Sequence, residues 1–159
     1  HNQYDWISLD QILWYRETSR ALNAARGGRP LPAVAFFHIP LQEYGHPALR
    51  RSLIGTRAEE EAHGALNSGM FAAMLEEGDV MAVAVGHDHD NDYAGMLLGT
   101  CLTYGRVSGW ACYGKLPRGA RVFELRENKR EFDSWIRTAD GDAMHRFHYP
   151  SSFAGQSAK

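Results

Sequence analysis

An α/β fold is predicted for this chain of 159 residues by three observations. Two short runs, Ala33-Val34-Ala35-Phe36-Phe37 and Val80-Met81-Ala82-Val83-Ala84-Val85, are apolar throughout, which marks strands buried on both faces. A helical segment separates them, and strand, helix, strand order with apolar strands favours a sheet covered by helices. With 44% hydrophobic and 23% charged residues, the chain also has enough apolar material to fill the core of one globular domain.

Each element has its own local signal. Ser8 with Gln11 has the form of a capping box, and Ile12, Leu13, Tyr15 and Leu22 suit a helix over Leu9 to Arg26 that stops at Gly27-Gly28. The first strand follows Pro30 and Pro32 and ends in His38-Ile39-Pro40. From Leu41 to Leu66, glycines and prolines interrupt any period, so this stretch is read as an excursion with a short helix at best. Asn67 is placed to cap a helix through Phe71, Met74 and Leu75, ended by Gly78. The second strand then runs directly into Gly86-His87-Asp88-His89. Further strands are expected over Met96 to Tyr104, Arg121 to Leu125 and Phe132 to Ile136, with a poorly ordered tail over residues 139–159.

Bulk properties exclude some partners. The net charge is −2, and Arg50-Arg51 and Lys129-Arg130 are too short and too far apart to form a nucleic-acid groove. No apolar run is long enough to span a membrane, and the N-terminus has no charged start followed by an apolar stretch. The chain begins at His1, so a processed or trimmed product is expected, from which an export signal would already be gone; its location is not legible. Cys101 and Cys112 have no metal-finger spacing and are read as buried thiols.

The chemistry gathers at the strand ends. Residues two apart in an extended backbone point to the same side, so His87 and His89 present two imidazoles together. His38 holds the matching position on the first strand, and parallel strands bring their ends to one sheet edge. Three histidines from two segments therefore converge as candidate metal ligands. His46, His63, His145 and His148 sit in loops or the tail and carry no comparable signal.

Phe36-Phe37-His38-Ile39-Pro40, Asn67-Ser68-Gly69, Gly86-His87-Asp88-His89 with Asn91-Asp92-Tyr93, and Tyr104-Gly105-Arg106 resemble the calcineurin-like metallophosphoesterases, in particular the purple-acid-phosphatase-like branch. The resemblance runs from Tyr4 to Ile136. It implies a four-layer α/β/β/α sandwich, of which residues 1–138 form the C-terminal part. It also implies a dinuclear site of two divalent or trivalent ions (Fe, Mn or Zn), with His38 and His87 on one metal and His89 on the other. The implied substrate is a small phosphomonoester or diester. Arg106 either reaches a phosphate edge or closes a surface turn, and Tyr93 either lines the substrate pocket or packs.

The family's Asp-x-His, Gly-Asp-x-x-Asp and Gly-Asn-His motifs do not occur in the chain. The bridging carboxylate and the acid histidine are therefore expected in an absent N-terminal half, and the chain alone is expected to be inactive. Asp88, Asp90, Asp92 and Glu43 are read as loop residues or outer partners of the ligands. An inner sheet face stripped of its cover would favour self-association. The competing expectation is a noncatalytic binding or assembly module that retains a partial metal site.

Overall fold

A computed structural model of the chain describes residues 4–155. Helix α1, Leu9–Ala24, begins where the Gln11 Oε1 accepts the Ser8 N–H at 2.8 Å. It stops just before Gly27 and Gly28, both at positive φ. Helix α2, Met70–Glu77, ends at Gly78 in the left-handed conformation. Arg16 and Arg20 of α1 pair with Glu76 and Glu77 of α2, and Tyr15 donates to Asp79, so charge as well as packing joins the two helices.

The central sheet has the order β1-β2-β4-β3, from strands β1 (Ala33–Phe36), β2 (Val80–Val85), β3 (Ala94–Leu97) and β4 (Thr100–Tyr104). β1 and β4 flank β2 in parallel, and β3 returns antiparallel to β4. Beyond it a second sheet of three antiparallel strands, β5 (Gly119–Leu125), β6 (Phe132–Thr138) and β7 (Ala143–Tyr149), runs in chain order. On one face of the central sheet Val83, Val85, Leu102 and Tyr104 pack with Ile12, Phe71 and Met74 of the helices. On the other face Ala82, Ala94 and Cys101 pack with Phe132, Phe147, Tyr149 and Phe153. Two helices with parallel and antiparallel strand pairing bear out the α/β class.

Several local expectations change. β1 is an edge strand rather than one buried on both faces, and Phe36 is 66% exposed. The run Met96 to Tyr104 is a hairpin, because Leu98 and Gly99 both take positive φ (48° and 86°) and form a two-residue turn of the kind that joins twisted strands. Asn67 does not cap α2. Its Oδ1 accepts from the Gly69 N–H at 3.0 Å, and Gly69 itself takes the cap position.

The tail forms β7, with Phe147 and Tyr149 buried against Phe132. A register shift opposite Ser134 to Ile136 and a positive φ at His145 break the alternation there, which hides the strand from a period-two reading. Residues 156–159 of that tail lie outside the described residues. Cys112 is exposed, whereas Cys101 is buried and its thiol is pushed up to about 12 by desolvation. The inner face expected to lose its cover is covered across β2, β3 and β4 by the second sheet itself.

Arg121 of β5 locks the two sheets together. Its guanidinium donates to the Tyr104 carbonyl at 2.7 Å, to the Asp92 carbonyl and to Ser134, and lies over the Phe147 ring. Burial pushes its pKa down to about 10, yet it remains charged at neutral pH.

Candidate metal centre

Backbone register brings the first two histidines together. Phe36 lies opposite Ala84, the Phe37 N–H continues the ladder to the Ala84 carbonyl, and the Gly86 N–H reaches the His38 carbonyl at 3.2 Å. His38 therefore stands beside the start of the Gly86 to His89 turn. Its Nε2 lies 3.1 Å from Nδ1 of His87, with the rings nearly perpendicular.

Two imidazole nitrogens on one cation at ~2.1 Å would sit roughly 3.0 Å apart in an octahedral shell and ~3.4 Å apart in a tetrahedral one. The observed spacing fits that range, provided both facing nitrogens carry lone pairs. Burial lowers the His87 pKa, His38 and His89 add to the effect and Asp88 opposes it, so the ring is neutral at neutral pH as a ligand must be. The edge of the Tyr4 ring packs on His87, with ring centroids 4.3 Å apart.

His89 is held separately. Its Nδ1 lies 3.0 Å from the Tyr113 carbonyl, which can only accept, so Nδ1 carries the proton and Nε2 the lone pair. Among the described residues no three His, Cys, Asp or Glu side chains gather closely enough to hold a metal. The structure thus brings His38 and His87 together, leaves His89 apart from them, and completes no metal site among the described residues.

Of the residues between and after the histidines, Asp88, Asn91 and Asp92 turn inward. Asp88 is buried, accepts the Ala62 N–H at 3.2 Å and takes the Tyr104 hydroxyl proton into a hydrogen bond. Asp90 accepts from the Lys115 N–H at 2.5 Å, while its own N–H donates to Glu59. Asn91 accepts from the Ala58 N–H at 2.9 Å and donates to the Glu59 carbonyl. Asp92 accepts from the Thr56 N–H at 2.6 Å and pairs with Arg106, both side chains being almost wholly buried. The Asp88, Asn91 and Asp92 side chains stitch the excursion loop over residues 56–62 onto the strand end, and that of Asp90 holds the Lys115 backbone. Gly55 allows the close approach, since at φ +116 a Cβ there would meet Asp92 and Tyr93 backbone at 2.9 Å.

The remaining sequence candidates fall outside the histidine cluster. Tyr93 has no exposed surface, and its hydroxyl donates to Glu61 at 2.8 Å, so it packs. Arg106 spends its guanidinium on Asp92 and the Pro117 carbonyl, so it closes a buried junction and not a surface turn. Glu43 accepts from Asn67 at 2.8 Å. Sequence reasoning missed Tyr113, Glu59 and Tyr4. Only the glycine-rich surroundings of Tyr113 marked a tight loop, and nothing in them pointed back to His89.

Over 140 residues the chain is 38% identical to "Probable inactive purple acid phosphatase 29" of Arabidopsis thaliana, a match covering 83% of this chain and 36% of that protein. It is 32% identical over 141 residues to "Probable inactive purple acid phosphatase 14" of the same plant, covering 84% of this chain and 35% of that protein. It is 31% identical over 172 residues to "Phosphatase DCR2" of Saccharomyces cerevisiae, covering 97% of this chain and 28% of that protein. The chain thus spans about a third of the length of these curated relatives. No protein-family profile and no solved structure matches it.

Proposed function

Because this chain belongs to the purple-acid-phosphatase-like branch of the calcineurin-like metallophosphoesterases, we propose that it forms one wall of a dinuclear phosphoesterase site. His38 and His87 hold one cation and His89 a second, and the carboxylates that balance their charge come from outside these residues. Iron, manganese or zinc there would supply Lewis-acid polarisation of a small phosphoester and of the water that attacks it. The chain's own part is positional. β1 and β2 set the spacing of two imidazoles, the loop over residues 56–62 braces the turn that carries them, and Tyr4 shields one flank of His87.

The observation that carries this reading is the 3.1 Å approach of His38 Nε2 to His87 Nδ1. Calorimetric titration of the full chain with Zn²⁺ and Mn²⁺ tests it. Uptake is expected in the wild type and is expected to drop at least about tenfold in His38→Ala and in His87→Ala. Equal uptake by all three proteins would refute the shared site. The chain alone is expected to leave a generic aryl phosphate unhydrolysed, since neutral imidazoles leave a pair of cations undercompensated.

A second reading is a noncatalytic binding or assembly module with a partial metal site. It draws on the word "inactive" in the names of two relatives and on the lack of a three-residue cluster among the described residues. One cation per chain, with no gain of hydrolysis in a protein of the relatives' full length, would favour it. Self-association would use the β1 edge, where no further strand pairs among the described residues and Phe36 is 66% exposed.

A further inference from the structure

The histidines differ in what holds them, and the difference centres on one residue outside the motif. Tyr113 touches His89 in three ways. Its carbonyl accepts from Nδ1 at 3.0 Å, its ring stacks on the imidazole at 4.1 Å and 18°, and its hydroxyl accepts the His89 backbone N–H at 3.1 Å. That hydroxyl in turn donates to Glu59 at 3.1 Å, and Glu59 accepts the Asp90 N–H at 2.8 Å. Gly114 follows at φ +108, where a Cβ would stand 3.0 Å from the His89 Cβ. Only glycine lets this loop lie so close against the histidine.

From this geometry we propose that Tyr113 is a positioning residue for His89, fixing the ring in the Nδ1–H tautomer and leaving Nε2 as its ligand nitrogen. The proposal rests on the metal reading only for what Nε2 then binds; the clamp itself is a property of the chain without metal. A carbonyl acceptor on one ring nitrogen sets which nitrogen is left to coordinate. The stacked ring removes the remaining freedom, rotation about the bond that carries the imidazole. The Glu59 link makes the clamp part of the same brace that holds Asp90 and Asn91, so His89 is oriented by the loop over residues 56–62 as well as by its own strand.

The test is a long-range ¹H–¹⁵N correlation spectrum of the metal-free, ¹⁵N-labelled full chain at alkaline pH, where every imidazole is neutral. His89 is expected as the Nδ1–H tautomer, and a wild-type His89 in the Nε2–H form would overturn the proposal without any variant. Both Tyr113→Ala and Tyr113→Phe keep the carbonyl; Tyr113→Ala loses the stacked ring that holds it against His89 and is expected to lower the ratio of Nδ1–H to Nε2–H there at least about fivefold, while Tyr113→Phe, which keeps the ring, retains the wild-type ratio. A folded Tyr113→Ala chain with an unchanged ratio would also overturn it. Added Co²⁺ gives a second readout. Broadening of His89 is expected to need about 10 to 100 times more Co²⁺ in Tyr113→Ala, with His38 and His87 responding as before. If the tautomer behaves as expected and Co²⁺ never reaches His89, the clamp stands and the metal assignment of His89 falls.

Discussion

β1 and β2 run side by side and both lead into histidine, but the two ends are held in different ways. β2 is buried along its whole length, and the turn after it is bonded through Asp88, Asp90, Asn91 and Asp92 to backbone amides of two separate loops. β1 lies at the sheet edge with Phe36 largely exposed, and His38 is exposed, tied by its own carbonyl to the Gly86 N–H. The contrast teaches that the wall of the site is built unequally. His87 and His89 sit on a braced frame, and His38 is carried on a margin that can shift without breaking the core.

The sharpest way to break that contrast is to cut the brace. Asp92→Ala would strand the buried Arg106 guanidinium and free the Thr56 N–H, and is expected to cost about 3–5 kcal/mol in urea unfolding. Tyr104→Phe, which removes the hydroxyl from Asp88, should cost about 2 kcal/mol at neutral pH.

The same residue gives a pH signature. Burial raises the phenol pKa of Tyr93 and Tyr104, and their carboxylate partners Glu61 and Asp88 raise it further. The fold keeps these protons at a pH where the unfolded chain releases them, so stability is full below about pH 10 and falls as pH rises past it. Thermal melts of Tyr104→Phe should show that slope reduced by up to ~1.4 kcal/mol per pH unit.

On the other strand, His38→Ala is expected to change stability by no more than about 0.5 kcal/mol, so that its loss of Zn²⁺ uptake can be read free of unfolding. Phe36→Ser should be close to neutral in stability as well. Any oligomer that light scattering finds in the wild type should dissociate in that variant, and one that persists does not use the β1 edge.

The parts of the structure legible in the sequence are those whose cause is local. Ser8 and Gln11 announced α1, the unbroken apolar run announced β2, and Gly78 ended α2, because capping, burial and left-handed backbone each act within a few residues. His38 and His87 were legible as a pair because parallel strands of similar length end together.

What escaped depends on partners far along the chain. Asp88 finds Ala62 and Tyr104, Asp92 finds Thr56 and Arg106, and His89 finds Tyr113, none of which any period could reveal. Leu98-Gly99 escaped for another reason. A leucine at positive φ is not the residue a hairpin turn advertises, and an apolar turn disguised two strands as one.

Alternation at the end of β2 separates two duties that share one short stretch of chain. His87 and His89 reach outward, while Asp88 is turned inward and Asn91 and Asp92 lie fully buried in the brace. On the proposed reading, exchanging an outward residue removes a metal ligand and leaves the scaffold whole, while exchanging an inward one loosens the scaffold. The outward and inward positions can therefore drift apart under mutation, and a descendant that has exchanged its histidines can still inherit the shape.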